Sequence, residues 1–178
     1  MFIDLLRSRR SIRKYRDKPV EKKKIDLLIE AALRAPSSRG FNPWEFVVID
    51  DPETLASLSR TKPHGASFLA KAPLAIAVCG DPERSDVWVE DVSIATIILH
   101  LAATDIGLGS CWIQLRKRNY DAHTTAGQHA ARLLGLPNGL EVSAIMAVGY
   151  PDRQPSPHPE SALQHEKVSF NRYGRKRS

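Results

Sequence analysis

The first long periodic pattern in the chain is Val20–Arg34. Ile25, Leu28, Ile29 and Ala32 recur there at helical spacing, and Glu21, Lys22, Lys23, Lys24, Asp26 and Glu30 fill the other face. This predicts an amphipathic helix, stopped by Pro36. Trp44–Ile49 is an aromatic and β-branched run and reads as a strand. Asp51-Pro52-Glu53 then supplies a capping carboxylate, a first-turn proline and a negative charge at the positive dipole end, opening a short helix over Thr54–Arg60. Leu74–Cys79 is continuously apolar over strand length, which predicts a central strand buried on both faces. Val87–Ile106 is the longest helical pattern and is apolar nearly all round, so part of its surface must meet something beyond the chain's own sheet. Gly107 ends it. Ser110–Leu115 reads as a strand, Thr125–Leu134 as a helix closed by Gly135 and Pro137, and Val142–Val148 as a last strand closed by Gly149-Tyr150-Pro151. Strands alternating with helices predict an α/β arrangement of two or three layers.

Beyond Pro151 the periodicity stops, and Pro151, Pro155, Pro157 and Pro159 follow in close order. The expectation is one domain over 1–178 whose residues 151–178 form an extended arm. A length of 178 residues fits one core, and 42% hydrophobic with 26% charged residues is the composition of a globular protein. No run reaches the roughly 18 apolar residues of a membrane helix, and Met1–Arg10 lacks a long apolar leader, so a cytoplasmic location is expected. Cys79 and Cys111 lack CxxC spacing or a nearby His/Cys cluster, which argues against a disulfide framework or a metal site.

The formal net charge of +6 points to anionic ligands. Basic residues gather in Arg7–Lys24, in Arg116-Lys117-Arg118 and in Arg172–Arg177; for the last two a solvated face is the simplest account. Arg9-Arg10-Ser11-Ile12-Arg13 is different. Along an extended strand Arg9, Ser11 and Arg13 would share one side, and two guanidiniums with a hydroxyl suit a phosphate monoester better than a nucleic-acid backbone. No Ser-His-Asp order, HExxH, GxGxxG after a strand or GxxxxGK[ST] is present, so no side chain is marked for hard chemistry and a cofactor is implied instead. His100 falls in the buried-looking helix and reads as a satisfied core or interface histidine. Two further loops could approach a cofactor: Pro36–Trp44, rich in small and polar residues, and Gly107–Gln114, with two glycines.

In this order the segments resemble the nitroreductase family over almost the whole chain. Arg9–Tyr15 is similar to its RRSIRxF signature, Ala35–Phe46 to its APSxxNxQPWxF loop, Gly107–Ile113 to its GLGxCWI turn, and Leu136-Pro137 and Gly149-Tyr150-Pro151 to its closing LGxP and GYP segments. The resemblance implies a nitroreductase-like α+β fold: a central mixed, largely antiparallel sheet flanked by helices, with the C-terminal arm exchanged in a homodimer. It implies FMN, held by Arg9, Arg10, Ser11 and Arg13 at the phosphate and ribityl chain, by Pro36, Ser37, Ser38 and Asn42 from the other subunit, by an N–H around Gln114 and Leu115 at N5, and by a late cation, Arg172. No catalytic side chain is required. Hydride would pass from NAD(P)H through the flavin to a small acceptor such as a nitroaromatic or quinone, by ping-pong kinetics, in an open slot lined by Phe41, His64, Phe68 and Trp88. The chain departs from the family at Gly40 and at Pro63-His64-Gly65, where an Asn is usual. The rival readings are reductive dehalogenation on the same scaffold and a flavin-binding or nucleic-acid-associated protein without turnover.

Overall fold

A computed structural model describes residues 1–177. Its four strands form one antiparallel sheet in the order β1-β2-β4-β3. β2 (Leu74–Gly80) and β4 (Glu141–Gly149) lie at the centre, as the continuous apolar run in β2 predicted; all of β2, and all of β4 beyond Glu141, is buried. β1 (Trp44–Ile49) and β3 (Gly109–Gln114) form the edges. The expected mixture of strand directions reduces to a single parallel bridge between Ser11 and Ser110.

Strand alternation divides the core in two. Leu74, Ile76 and Val78 point to the face covered by α2 (Lys22–Leu33) and α4 (Trp88–Asp105), where they meet Leu28, Ala32, Val92, Leu99 and Ala103. Ala75, Ala77 and Cys79 point to the face covered by α3 (Pro52–Leu58) and α5 (Ala126–Leu134), with Leu55, Leu58, Ala126 and Ala130. The arrangement is therefore three-layered. Local chemistry sets the helix ends: the Asp51 carboxylate accepts from Thr54 N at 2.8 Å, and Thr125 and Gln128 cap each other reciprocally. α4 packs Val92, Ala95, Leu99 and Ala103 inward but leaves Ile94 and Ile97 more than a third exposed.

One helix was not anticipated. Phe2–Ser8 forms α1, a seven-residue helix with no buried residue, which leaves Phe2, Ile3 and Leu6 exposed. After it, the chain runs extended past Ser11 and meets the start of the C-terminal arm. Tyr15 bridges to Pro151, Asp152 N donates to Lys14 O, Arg10 donates to Ser156 O, and Gln154 Nε2 donates to Ser8 O. Beyond Pro157 the arm is extended with two single 3-10 turns, and its hydrogen bonds are local. Ser178, the last residue of the expected arm, lies outside the described residues.

Ile12 is the peg between the N-terminal segment and the sheet. It is buried, and it sits where a Cβ on Gly109 would come within 2.7 Å of its Cγ1. Gly109→Ala should therefore push Ile12 out and cost about 1–3 kcal/mol. A urea melt would show this as a lower midpoint at unchanged slope; an unchanged midpoint would mean that Ile12 is not held there.

Candidate functional site

The order β1-β2-β4-β3 leaves one side of β3 without a strand partner. Backbone groups alternate along a strand, and Leu115 N, just past its end, donates inward to Ser143 O. The even-numbered residues Ser110, Trp112 and Gln114 therefore turn theirs to the free edge. Two groups occupy that edge. Ile12 N donates to Ser110 O at 2.9 Å, and Lys62 Nζ donates to Gln114 O at 3.0 Å. Between them lie Trp112 and the outward N–H of Gln114. The expectation for an N–H around Gln114 and Leu115 is thus narrowed: the Leu115 N–H is consumed by the sheet, and Gln114 has the edge-facing one. The Gln114 side chain is engaged, accepting from Trp112 Nε1 and donating to Arg116 O.

The bridge at Ser11 fixes the basic segment. With Ile12 turned inward, Ser11 and Arg13 are exposed, as alternation predicted. Arg10 points away, toward the arm at Ser156. Arg9 reaches α4, where its Nη1 lies 2.8 Å from Nε2 of the buried His100, and Nδ1 of that ring meets Ser110 Oγ. Burial, and then the Arg9 charge, push His100 down from 6.5 to about 4. Arg13 lies 6.0 Å from the ring centre of Phe68, which is half-buried. Arg13, Lys62 and Arg9 all lie close enough to the Cys111 thiol to draw its pKa down, although burial outweighs them and raises it overall. Among the described residues none of Arg9, Arg13 or Lys62 is paired with a carboxylate. Burial and the nearby Arg118 lower the Lys62 ammonium below the ordinary lysine range. Three cations and the Ser11 hydroxyl beside an open backbone edge are the chemistry of a candidate anion site, with the Phe68 ring at its flank.

Pro36–Asn42 forms a second cluster. Its single 3-10 turn, Ser38–Gly40, carries positive φ at Arg39 and Gly40, and Asn42 follows at +47°. The Ser37 hydroxyl donates to Asn42 Oδ1 and accepts from Asn42 N, so Asn42 closes its own loop. The loop is tied down by Asp91, a carboxylate only 2% exposed in the first turn of α4. Asp91 Oδ1 accepts from Ser38 N at 2.8 Å and Oδ2 accepts from Ser85 Oγ at 3.1 Å. Arg39 pairs with Asp86 and sits 4.7 Å over Phe41.

The structure does not bring all predicted site residues together. Asp91 and His100 hold the two clusters to the same helix nine residues apart, roughly 13 Å along its axis at 1.5 Å per residue. Phe68 joins the cation cluster and Phe41 the loop. His64 is exposed between α3 and β2. Trp88 is a correction: it is 8% exposed and packed over Gly80 and Val92, with Arg116 5.7 Å from its ring centre, so it is a core residue rather than an open lining. Arg172 sits in the exposed arm with local hydrogen bonds and does not reach Arg9–Arg13 of its own chain. Lys62, Asp91 and the Arg9–His100 contact were not singled out from sequence. Lys62 reaches Gln114 across 52 positions with no motif to mark it.

Comparison with known proteins places these features in context. A family profile described as Nitroreductase family matches residues 6–64 and 55–150. A solved FMN-dependent nitroreductase of Clostridium difficile R20291 is 46% identical, superposes with a TM-score of 0.94, and shares 96% of this chain and 99% of its own. An Archaeoglobus fulgidus protein with the provisional name NADH dehydrogenase/NAD(P)H nitroreductase is 35% identical over 153 residues, 84% of each chain. The FMN reductase [NAD(P)H] of Bacillus subtilis is 26% identical over 95% of this chain and 74% of its own.

Removing the Asp91 carboxylate strands a buried donor, the Ser85 hydroxyl, and a part-buried one, the Ser38 N–H. Asp91→Ala should lower stability by about 2–4 kcal/mol and speed amide exchange at Ser38 far more than at the sheet centre. Exchange at Ser38 equal to that of the unaltered protein would mean that Asp91 does not anchor the loop.

Proposed function

The chain belongs to the nitroreductase family, and from that premise we propose that it is an FMN-dependent oxidoreductase driven by NADH or NADPH. The observation that carries the reading is the group of cations Arg9, Arg13 and Lys62, none paired with a carboxylate among the described residues, converging with Ser11 beside the open edge of β3. That donor set fits FMN: Arg9, Ser11 and Arg13 suit the phosphate and ribityl oxygens, and the Gln114 N–H suits a ring nitrogen at the edge. When bound, FMN supplies hydride transfer from the nicotinamide to an acceptor such as a nitroaromatic or quinone, in two half-reactions on one face.

The chain's own residues bind, orient and tune; none acts as acid or base. His100 is spent on Arg9. Burial pushes the Cys79 thiol up to about 12 and raises Cys111, so both stay protonated and unreactive near neutral pH. Among the described residues there is no cluster of groups able to hold a metal ion, and no helix is long and apolar enough to cross a membrane. Lys62, fixed by Gln114 O, puts a cation at the edge where Gly65 stands in place of the family's usual Asn; a Cβ on Gly65 would lie 3.8 Å from its Nζ. We read Lys62 as the substitute donor for the pyrimidine side.

The complete site needs two chains in this reading. The Pro36–Asn42 loop is held about two and a half helical turns from the cation cluster of its own chain. Exposed Phe2, Ile3, Leu6, Leu27, Leu33, Ile94 and Ile97 provide an apolar surface for a second copy. The arm, with Leu163, Val168 and Phe170 exposed, then packs on the partner.

Purified protein titrated with FMN should acquire visible flavin absorbance and sediment as a dimer. Arg9→Ala combined with Arg13→Ala should weaken FMN by ~100-fold or more, since each charge-assisted contact contributes about 1.5–3 kcal/mol. Failure of the unaltered protein to take up FMN would overturn the assignment. Stopped-flow bleaching with NADH and NADPH in turn identifies the donor.

A further inference from the structure

We infer that His100 is a positioning residue for the anion site: the buried imidazole accepts a hydrogen bond from Arg9 and thereby sets where that guanidinium points. The inference rests on the FMN reading for its ligand but on the structure for its geometry.

A polar ring inside a helix as apolar as α4 is costly unless both nitrogens are partnered. Both are. Nε2 lies 2.8 Å from Arg9 Nη1, and Nδ1 meets Ser110 Oγ. Arginine has only donors, so the Nε2 at this contact must offer its lone pair. The proton therefore sits on Nδ1 and is donated to the Ser110 hydroxyl. Ser110 is itself the residue whose carbonyl takes the Ile12 N–H and whose bridge holds Ser11. One strand position thus fixes the backbone of the basic segment and, through His100, the side chain at its start. A guanidinium already tied at one N–H loses less freedom when its remaining donors meet a ligand.

Protonation would reverse the arrangement by setting an Nε2–H against an Arg9 N–H. Arg9 is the charged group facing the ring, and the Ser110 hydroxyl faces it from β3. The carboxylates of α4 and of the helices packed on it are engaged elsewhere or exposed: Asp4 with Arg7 and the chain amine, Asp26 with Lys22, Glu30 with Arg34, and Asp91 with Ser38 and Ser85, while Glu90 and Asp105 are exposed. No counter-charge therefore favours the imidazolium. With its pKa held near 4, His100 stays neutral across the physiological range. Because the ring would take up a proton near 6.5 in the unfolded chain, its contribution to folding is present above about 6.5 and is lost as pH falls toward 4.

The test is the FMN dissociation constant, read from quenching of flavin fluorescence, for the unaltered chain, Arg9→Ala, His100→Leu, His100→Gln and the double variant Arg9→Ala/His100→Leu. His100→Leu should weaken FMN about tenfold, the loss of one charge-assisted hydrogen bond. His100→Gln, whose Oε1 can replace the Nε2 lone pair, should remain within about threefold. The double variant should be no weaker than Arg9→Ala alone, and riboflavin, which lacks the phosphate, should bind His100→Leu as it binds the unaltered chain. Equal FMN binding by His100→Leu and the unaltered chain, or equal losses for FMN and riboflavin, would overturn the inference. If the leucine variant does not fold, the pH profile decides: as pH falls from about 5 through 4, where the folded-state imidazole takes up its proton, the unaltered chain should lose FMN affinity more steeply than His100→Gln, and parallel profiles would overturn it. An unaltered chain that binds no FMN would overturn the cofactor assignment instead.

Discussion

A strand at the edge of a sheet presents unpaired N–H and C=O groups that must be covered, charged or used. In this chain β3 is one of the two edge strands, and the cation cluster is arranged along its free side. Ile12 covers it at Ser110, and Lys62 covers it at Gln114. The stretch between is left open, flanked by Arg9, Ser11 and Arg13 at one end and Lys62 at the other. A site built this way takes its precision from the sheet rather than from its loops. The backbone of β3 is fixed by six antiparallel pairings to β4, which is buried on both faces.

α4 is the second rigid reference. Its inward face carries Asp91 and His100, each buried and each fully partnered, and each reaches out to hold one functional segment. Buried polar groups such as these cost stability unless satisfied, and once satisfied they specify one arrangement. Replacing them with apolar residues would keep the helix packed while releasing the loop at one end and the arginine at the other. The helix is thus core on one side, mount at both ends, and exposed apolar surface at Ile94 and Ile97.

The layers were legible because each face of each element has its own period. β2 was read from a run with no polar residue, and it is central because only a strand covered on both faces tolerates such a run. α2 and α5 were read from their stripes and caps. α1 was not, because seven residues that bury nothing leave no stripe to read. The alternation that put Ser11 and Arg13 on one side followed from strand geometry alone, whereas Arg9's partner required the fold. His100 was correctly placed as a satisfied buried histidine, but its partner lies 91 positions away. Lys62 was invisible for the same reason. Trp88 was misplaced because an aromatic at a helix start looks the same in sequence whether it lines a slot or fills a core. The choice between Gln114 and Leu115 was a question of strand parity, decided by which N–H the neighbouring strand takes.

What remains is why the two clusters sit on one helix yet apart. If the loop anchored by Asp91 and the arginine anchored by His100 served the same ligand within one chain, the rigid spacing of α4 would have to be bridged by the ligand itself. The second copy proposed above would remove that requirement. If α4 paired against its own counterpart in an antiparallel sense, the Asp91 end of one helix would lie opposite the His100 end of the other. The loop of one chain would then face the cations of its partner, twice by symmetry. Binding of an anionic cofactor in such a cleft would draw on contacts from both chains, so affinity, assembly and folding would share one free energy. The exposed isoleucines on α4 and the arm left unpacked beyond Pro157 are what a chain committed to that arrangement would show alone.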